Sequence, residues 1–215
     1  MKHLLLILAT IFAALGATAQ GADPDLLARR ATAFFDQHEW LNAAVTYERL
    51  LRLRPGVPDS YGRGIAAAGI AGETDIQLRL TRDALDHAVP VDSLFNTVRT
   101  AAFTAGHADA YEHYMLTAAS QYPWMSRMTN VRLLDYYDYR SDGPAMTRYA
   151  LRLLSASPNS LSMLAILARG YLLQGEYDHA VAVYNRMLTL DPSDTTALLY
   201  LANYYADRAE TDHTD

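Results

Sequence analysis

Few of the reactive side chains in this sequence stand at spacings that chemistry needs. The histidines come nearest: His107, Asp109 and His113 gather in one stretch, with Asp109 and His113 one helical turn apart. Zinc held on a helix needs its two imidazoles on one face, four residues apart. His107 and His113 are six apart, so ordinary surface side chains are the simpler reading. Glu210, Asp212, His213 and Asp215 read as a solvated, frayed tail. Cysteine is absent and Lys2 is the only lysine, which excludes thiol catalysis, cysteine-bound zinc, Schiff bases and phosphate-loop lysines. No hydrolase elbow, dinucleotide fingerprint or H-E-x-x-H occurs, and no carboxylate pair stands apart from the others. The expectation is a non-catalytic protein with no cofactor and no metal.

Tyrosine is the over-used type, fifteen in all, with Tyr136, Tyr137 and Tyr139 close together and Tyr204 beside Tyr205. Tyrosine gives a binding surface contact area with a polar tip. Against that, Tyr47, Tyr114, Tyr136, Tyr149, Tyr171, Tyr184 and Tyr205 fall at helical core spacing, so packing accounts for about half of them.

The elements that would position these side chains repeat. Pro55, Pro90, Pro123, Pro158 and Pro192 are separated by 35, 33, 35 and 34 residues, and proline at a fixed phase ends one helix and turns the chain into the next unit. Residues 158–192 show the unit most clearly. Leu164, Leu167, Ala168 and Tyr171 lead to Gly175-Glu176, then Ala180, Tyr184, Met187 and Leu188, and finally Asp191-Pro192. Apolar residues every three to four positions on both sides of a glycine predict helix, turn, helix. The first unit keeps the register through Leu27, Ala31, Phe34, Ala43, Tyr47 and Pro55. The third and fourth carry Ala101, Ala110 and Tyr114, then Tyr136, Ala145 and Tyr149, with Asp142-Gly143 as the fourth turn. The second unit fits worst: Gln77 stands where an alanine is expected, and its first helix is mostly Gly and Ala over 62–69. Helix-interior glycine costs about 1 kcal/mol each, so this helix is expected to be the softest.

This arrangement resembles the tetratricopeptide repeat, W-x₂-L-G-x₂-Y…A-x₃-F…P over 34 residues, with Leu164, Ala168 and Tyr184 standing for its Trp, Gly and Phe. The resemblance covers residues 24–207 and implies an all-α fold: a right-handed superhelical solenoid of about five helix pairs plus one further helix. It also implies a concave groove lined by the first helices, where a peptide or protein segment would bind. Counted by helical face, Phe35, Asp36, Phe95, Arg99, Phe103, Asn130, Asp138, Arg169 and Asn203 would point into that groove. Such a mixture offers aromatic anchors, amides for backbone hydrogen bonds and two arginines for carboxylates. The Lys and Asn with which chaperone-tail-binding members open their clamp are absent, since Ala28 and Thr32 stand there.

Residues 1–19 read as a secretory signal peptide: Lys2 and His3, an apolar run from Leu4 to Leu15, then Ala17-Thr18-Ala19. The expected organisation is therefore a signal segment at 1–19, the repeat domain at 20–208 and a polar tail at 209–215, in an exported, periplasmic or secreted protein. A net charge of −6 gives no footprint for nucleic acid or anionic lipid, and no other run is long enough to span a bilayer. Thr195 to Arg208 reads as a further first helix, apolar nearly all round, with Leu198, Leu201, Ala202 and Tyr205 in register. That face would meet further repeats or a second copy through residues 195–207. Two functions follow: a protein-interaction scaffold, or a structural N-terminal spacer of a longer repeat protein.

Overall fold

The repeat is written in the backbone as a residue of left-handed conformation. In the computed structural model, Gly72, Gly106 and Gly175 have φ of 77°, 78° and 73°, and His38 and Ser141 hold the same phase at 62° and 53°. Successive members of this series lie 34, 34, 35 and 34 residues apart. Each is the centre of a short turn between two helices. The His38 amide donates to the Phe35 carbonyl (3.1 Å) and the Glu39 amide to Phe34 (2.8 Å); Gly175 and Glu176 repeat the pattern onto Leu172 and Tyr171 at 3.0 and 2.9 Å. These paired bonds satisfy the last carbonyls of a helix and reverse the chain. The expected turn residue Gly143 is not the left-handed one. Ser141 is, and Gly143 opens the next helix.

The structure describes residues 23–212, with side chains through Ala209; the expected signal segment at 1–19 and the end of the tail lie outside them. The helices are α1 (Pro24–Asp36), α2 (Trp40–Leu53), α3 (Pro58–Ile70), α4 (Thr74–Asp86), α5 (Val91–Thr104), α6 (Ala108–Gln121), α7 (Ser126–Tyr139), α8 (Gly143–Ala156), α9 (Leu161–Leu173), α10 (Tyr177–Leu190) and α11 (Thr195–Asp212). A 3₁₀ turn, Pro123–Met125, precedes α7, and the described residues contain no strand. The fold is all-α, built of stacked helix hairpins. Where one continuous array is expected, the chain forms two compact units that divide after Tyr114, inside α6.

In the first unit α3 packs on α2, α4 and α5, and its glycines stand at close approaches to neighbouring helices. A Cβ on Gly62 would lie 2.5 Å from Thr97 Cβ and 2.6 Å from the Thr97 carbonyl carbon, and one on Gly64 would touch Tyr47 and Leu80 at 3.0 Å. At Gly62 α5 comes too close for a side chain, and at Gly64 a side chain would crowd Tyr47 and Leu80. Gln77, in the alanine position, is fully buried and donates through Nε2 to the Ile65 carbonyl at 3.1 Å. Gly69 makes room for it, since a Cβ there would overlap the Gln77 amide nitrogen.

In the second unit α9 packs on α8 and α10, and α7 on α8. Gly143 and Gly170 mark the α8–α9 approach: a Cβ on either would lie 2.8 Å from Gly170 O or Thr147 Oγ1 respectively. The Gln174 amide ties the crossing by donating to Thr147 Oγ1 (2.8 Å) and to the Gly170 carbonyl (2.9 Å). In α11 the register differs from expectation. Ala197 and Leu201 are buried, while Leu198, Leu199 and Tyr205 are exposed. Tyr200 decides this by stacking on Tyr184 at 4.4 Å, and Tyr204 follows it at 6.1 Å. The helix also continues past residue 208, the expected domain end, to Asp212. No helix among the described residues is long and apolar enough to cross a membrane.

Candidate functional site

The first helices of three successive hairpins meet solvent together in the first unit. There the end of α1, one face of α3 and one face of α5 enclose a cleft of about 220 Å³ lined by Phe35, Asp36, Asp59, Arg63, Thr97, Thr100, Ala101 and Thr104. The Phe35 ring is its apolar wall: it is 6% exposed, packs edge-on against Trp40 at 5.2 Å, and carries the Arg63 guanidinium 5.6 Å from its centroid. Asp59 and Arg63 sit one turn apart on α3. Thr97, Thr100 and Thr104 form a stripe along α5, of which Thr97 is held by donating to the Leu94 carbonyl at 2.9 Å. Among the described residues neither Asp36 nor Asp59 is ion-paired. The cleft therefore offers two carboxylates, one guanidinium and a row of hydroxyls beside an aromatic ring.

Of the expected groove residues, Phe35 and Asp36 line this cleft. Phe95 does not. It is fully buried and lies edge-on to Tyr114 of α6 at 6.0 Å, within a buried arc of α5 made of Leu94, Phe95, Val98, Ala101 and Ala102. Arg99 and Phe103 fall on another side of α5, where the guanidinium covers the Phe103 ring at 5.2 Å and that ring meets Tyr111 at 6.2 Å. In the second unit Arg169 and Asp138 pair with each other at 2.9 Å, so Arg169 already holds a carboxylate of its own chain. Asn130 lines a separate cavity between α7, α8 and α9, and Asn203 is exposed on α11. His107 packs edge-on against Trp40 at 5.6 Å.

Asp59, Arg63, Thr97, Thr100 and Thr104 were not singled out by sequence. The i, i+3, i+7 spacing of the threonines and the i, i+4 spacing of Asp59 and Arg63 are the signals that could have found them. Counting from Phe95 put the open face of α5 roughly a third of a turn away.

A second charged cavity lies on the second helices of the same unit, α2 and α4, lined by Glu48, Arg52, Arg79, Arg82, Asp83 and Asp86. Here the charges cancel. Arg79 Nε donates to Glu48 at 2.8 Å, and Arg52 adds a contact at 3.4 Å. The Arg79 hydrogen bond holds the Glu48 carboxyl below the usual carboxylate range, against the opposing effect of partial burial. Tyr61 donates to Asp83 at 2.6 Å, and burial followed by this bond pushes its phenol well up.

Residues 161–204, which form α9, α10 and the start of α11, match the family model described as tetratricopeptide repeat. That segment is similar to a tetratricopeptide repeat. The left-handed turn at Gly175, within the matched segment, recurs at the same phase in the other four hairpins of the described residues. No curated protein matches the sequence. Among solved structures, the chain is similar to the crystal structure of MamA protein (11% identity, 80% of this chain and 94% of that one, TM-score 0.43). It is also similar to the C-terminal part of a TPR repeat-containing protein from Cytophaga hutchinsonii (14% identity, 85% and 72%, TM-score 0.48). A third is the TPR2AB domain of yeast Sti1 in complex with pHSP90 (13% identity, 85% and 86%, TM-score 0.30).

Proposed function

We propose that this protein is a non-catalytic scaffold that holds a peptide or protein segment, with the α1–α3–α5 cleft as one seat of that segment. The observation that carries the reading is the cleft itself: three first helices present Asp36, Asp59 and Arg63 together with three threonines, and both carboxylates lack an ion-pair partner among the described residues. Two carboxylates against one guanidinium favour a segment that brings a basic side chain, while the threonine hydroxyls suit its backbone groups. Helical repeat scaffolds work by presenting such surfaces along successive units, and the tetratricopeptide match supports the same class.

A photo-cross-linking residue at Thr100, compared with one at Arg82 on the second-helix face, tests this. Cross-linking of a bound segment at position 100 and not at 82 is expected; equal yields at the two positions would contradict the assignment.

A further inference from the structure

We propose that the cavity between α7, α8 and α9 in the second unit binds an oxyanion group, a carboxylate or a phosphate, carried on a small apolar body. The cavity encloses about 400 Å³, the lower part of the size range in which small ligands are held. Its polar lining consists of Arg127, Asn130, Arg152, Ser157, Ser160 and Ser162, and no Asp or Glu contributes to it. Guanidinium, amide and hydroxyl groups can all donate, so they can converge on acceptor-only oxygens without a competing charge.

Among the described residues neither Arg127 nor Arg152 is ion-paired, so no carboxylate of this chain neutralises them, and Arg152 lies over the Tyr149 ring at 5.0 Å. The Glu48 cavity differs, since carboxylates and arginines line it in equal number. The loop that carries Ser157 and Ser160 is also held in place. Arg186 donates to the Pro158 carbonyl, and the Ser160 and Ser162 hydroxyls stand 3.1 Å apart. Val131, Leu153 and Met163 supply the apolar remainder of the wall, which an inorganic ion alone would leave unused. This site is separate from the α1–α3–α5 cleft and stands whether or not that cleft binds a segment.

The test is calorimetric titration of the whole chain, at constant ionic strength in chloride, with inorganic phosphate, acetate and N-acetylleucine. Saturable binding of at least one probe is expected, weakened about tenfold by Arg127→Gln or Arg152→Gln and lost in the double variant. Val131→Asp, which sets a carboxylate at the cavity, should weaken it as well. Phosphate binding best would make the natural ligand a phosphate; N-acetylleucine binding best would make it a carboxylate on an apolar body. No saturable heat from any probe, or unchanged affinity in the double variant, would overturn the proposal.

Discussion

Ser141, at φ 53°, and His38, at φ 62°, hold a backbone conformation that costs an L-residue roughly 1–2 kcal/mol and glycine almost nothing. The three other hairpins place glycine there. Ser141→Gly should therefore stabilise the protein, by about 0.5–1 kcal/mol after the extra freedom that glycine gains on unfolding. Thermal or denaturant melts check this, and a lower midpoint would mean that the Ser141 side chain holds the turn in some other way. A second residue-scale expectation concerns Glu48. Its folded pKa is depressed by the Arg79 hydrogen bond, so its contribution to stability is complete above the ordinary carboxylate value and is lost as pH falls through the folded one. Because the pair faces solvent in part, the effect should be below about 1 kcal/mol. In Arg79→Gln the Glu48 carboxyl, followed by NMR, should titrate closer to the usual range; an unmoved titration would remove Arg79 as the cause.

At the scale of the helix, Gly69 and Gln77 form one design. The other hairpins carry Ala43, Ala110, Ala145 and Ala180 at the start of the second helix, whereas α4 brings a buried glutamine, and Gly69 on α3 leaves room for its amide. Gly69→Ala alone should cost about 1–3 kcal/mol by overpacking. In a Gln77→Ala background the same change should be neutral or stabilising, because helix propensity then favours alanine. A double-mutant cycle reads the coupling, and additive costs would show that the two do not share the space. The hairpins themselves were legible in the sequence, because proline phase and a 3.6-residue apolar period survive in one chain. What was not legible depends on distances between helices. The glycines of α3 read as weakness, since propensity is local and close approach is not. Phe95 read as a groove residue for a similar reason: it packs on Tyr114 of α6, a contact that helical face counting within α5 does not disclose. Asp138 and Arg169 are 31 residues apart, and only folding discloses that one neutralises the other.

Across the molecule, the two proposed sites differ in the sign of their lining charge. The α1–α3–α5 cleft carries an excess of carboxylate and the α7–α8–α9 cavity carries only arginine, so neither ligand would suit the other site. Exposed charges of this kind steer and select more than they tighten, and the cleft should therefore prefer segments with Lys or Arg and lose them as salt rises. The most direct test of the scaffold account is the affinity of a peptide selected from a random library on the whole chain. We predict a basic residue in the enriched sequences and a loss of about tenfold in Asp36→Asn with Asp59→Asn, with Arg79→Gln as an unaffected control. Undiminished affinity in the double variant, or a loss seen only with Arg79→Gln, would contradict the assignment of the cleft.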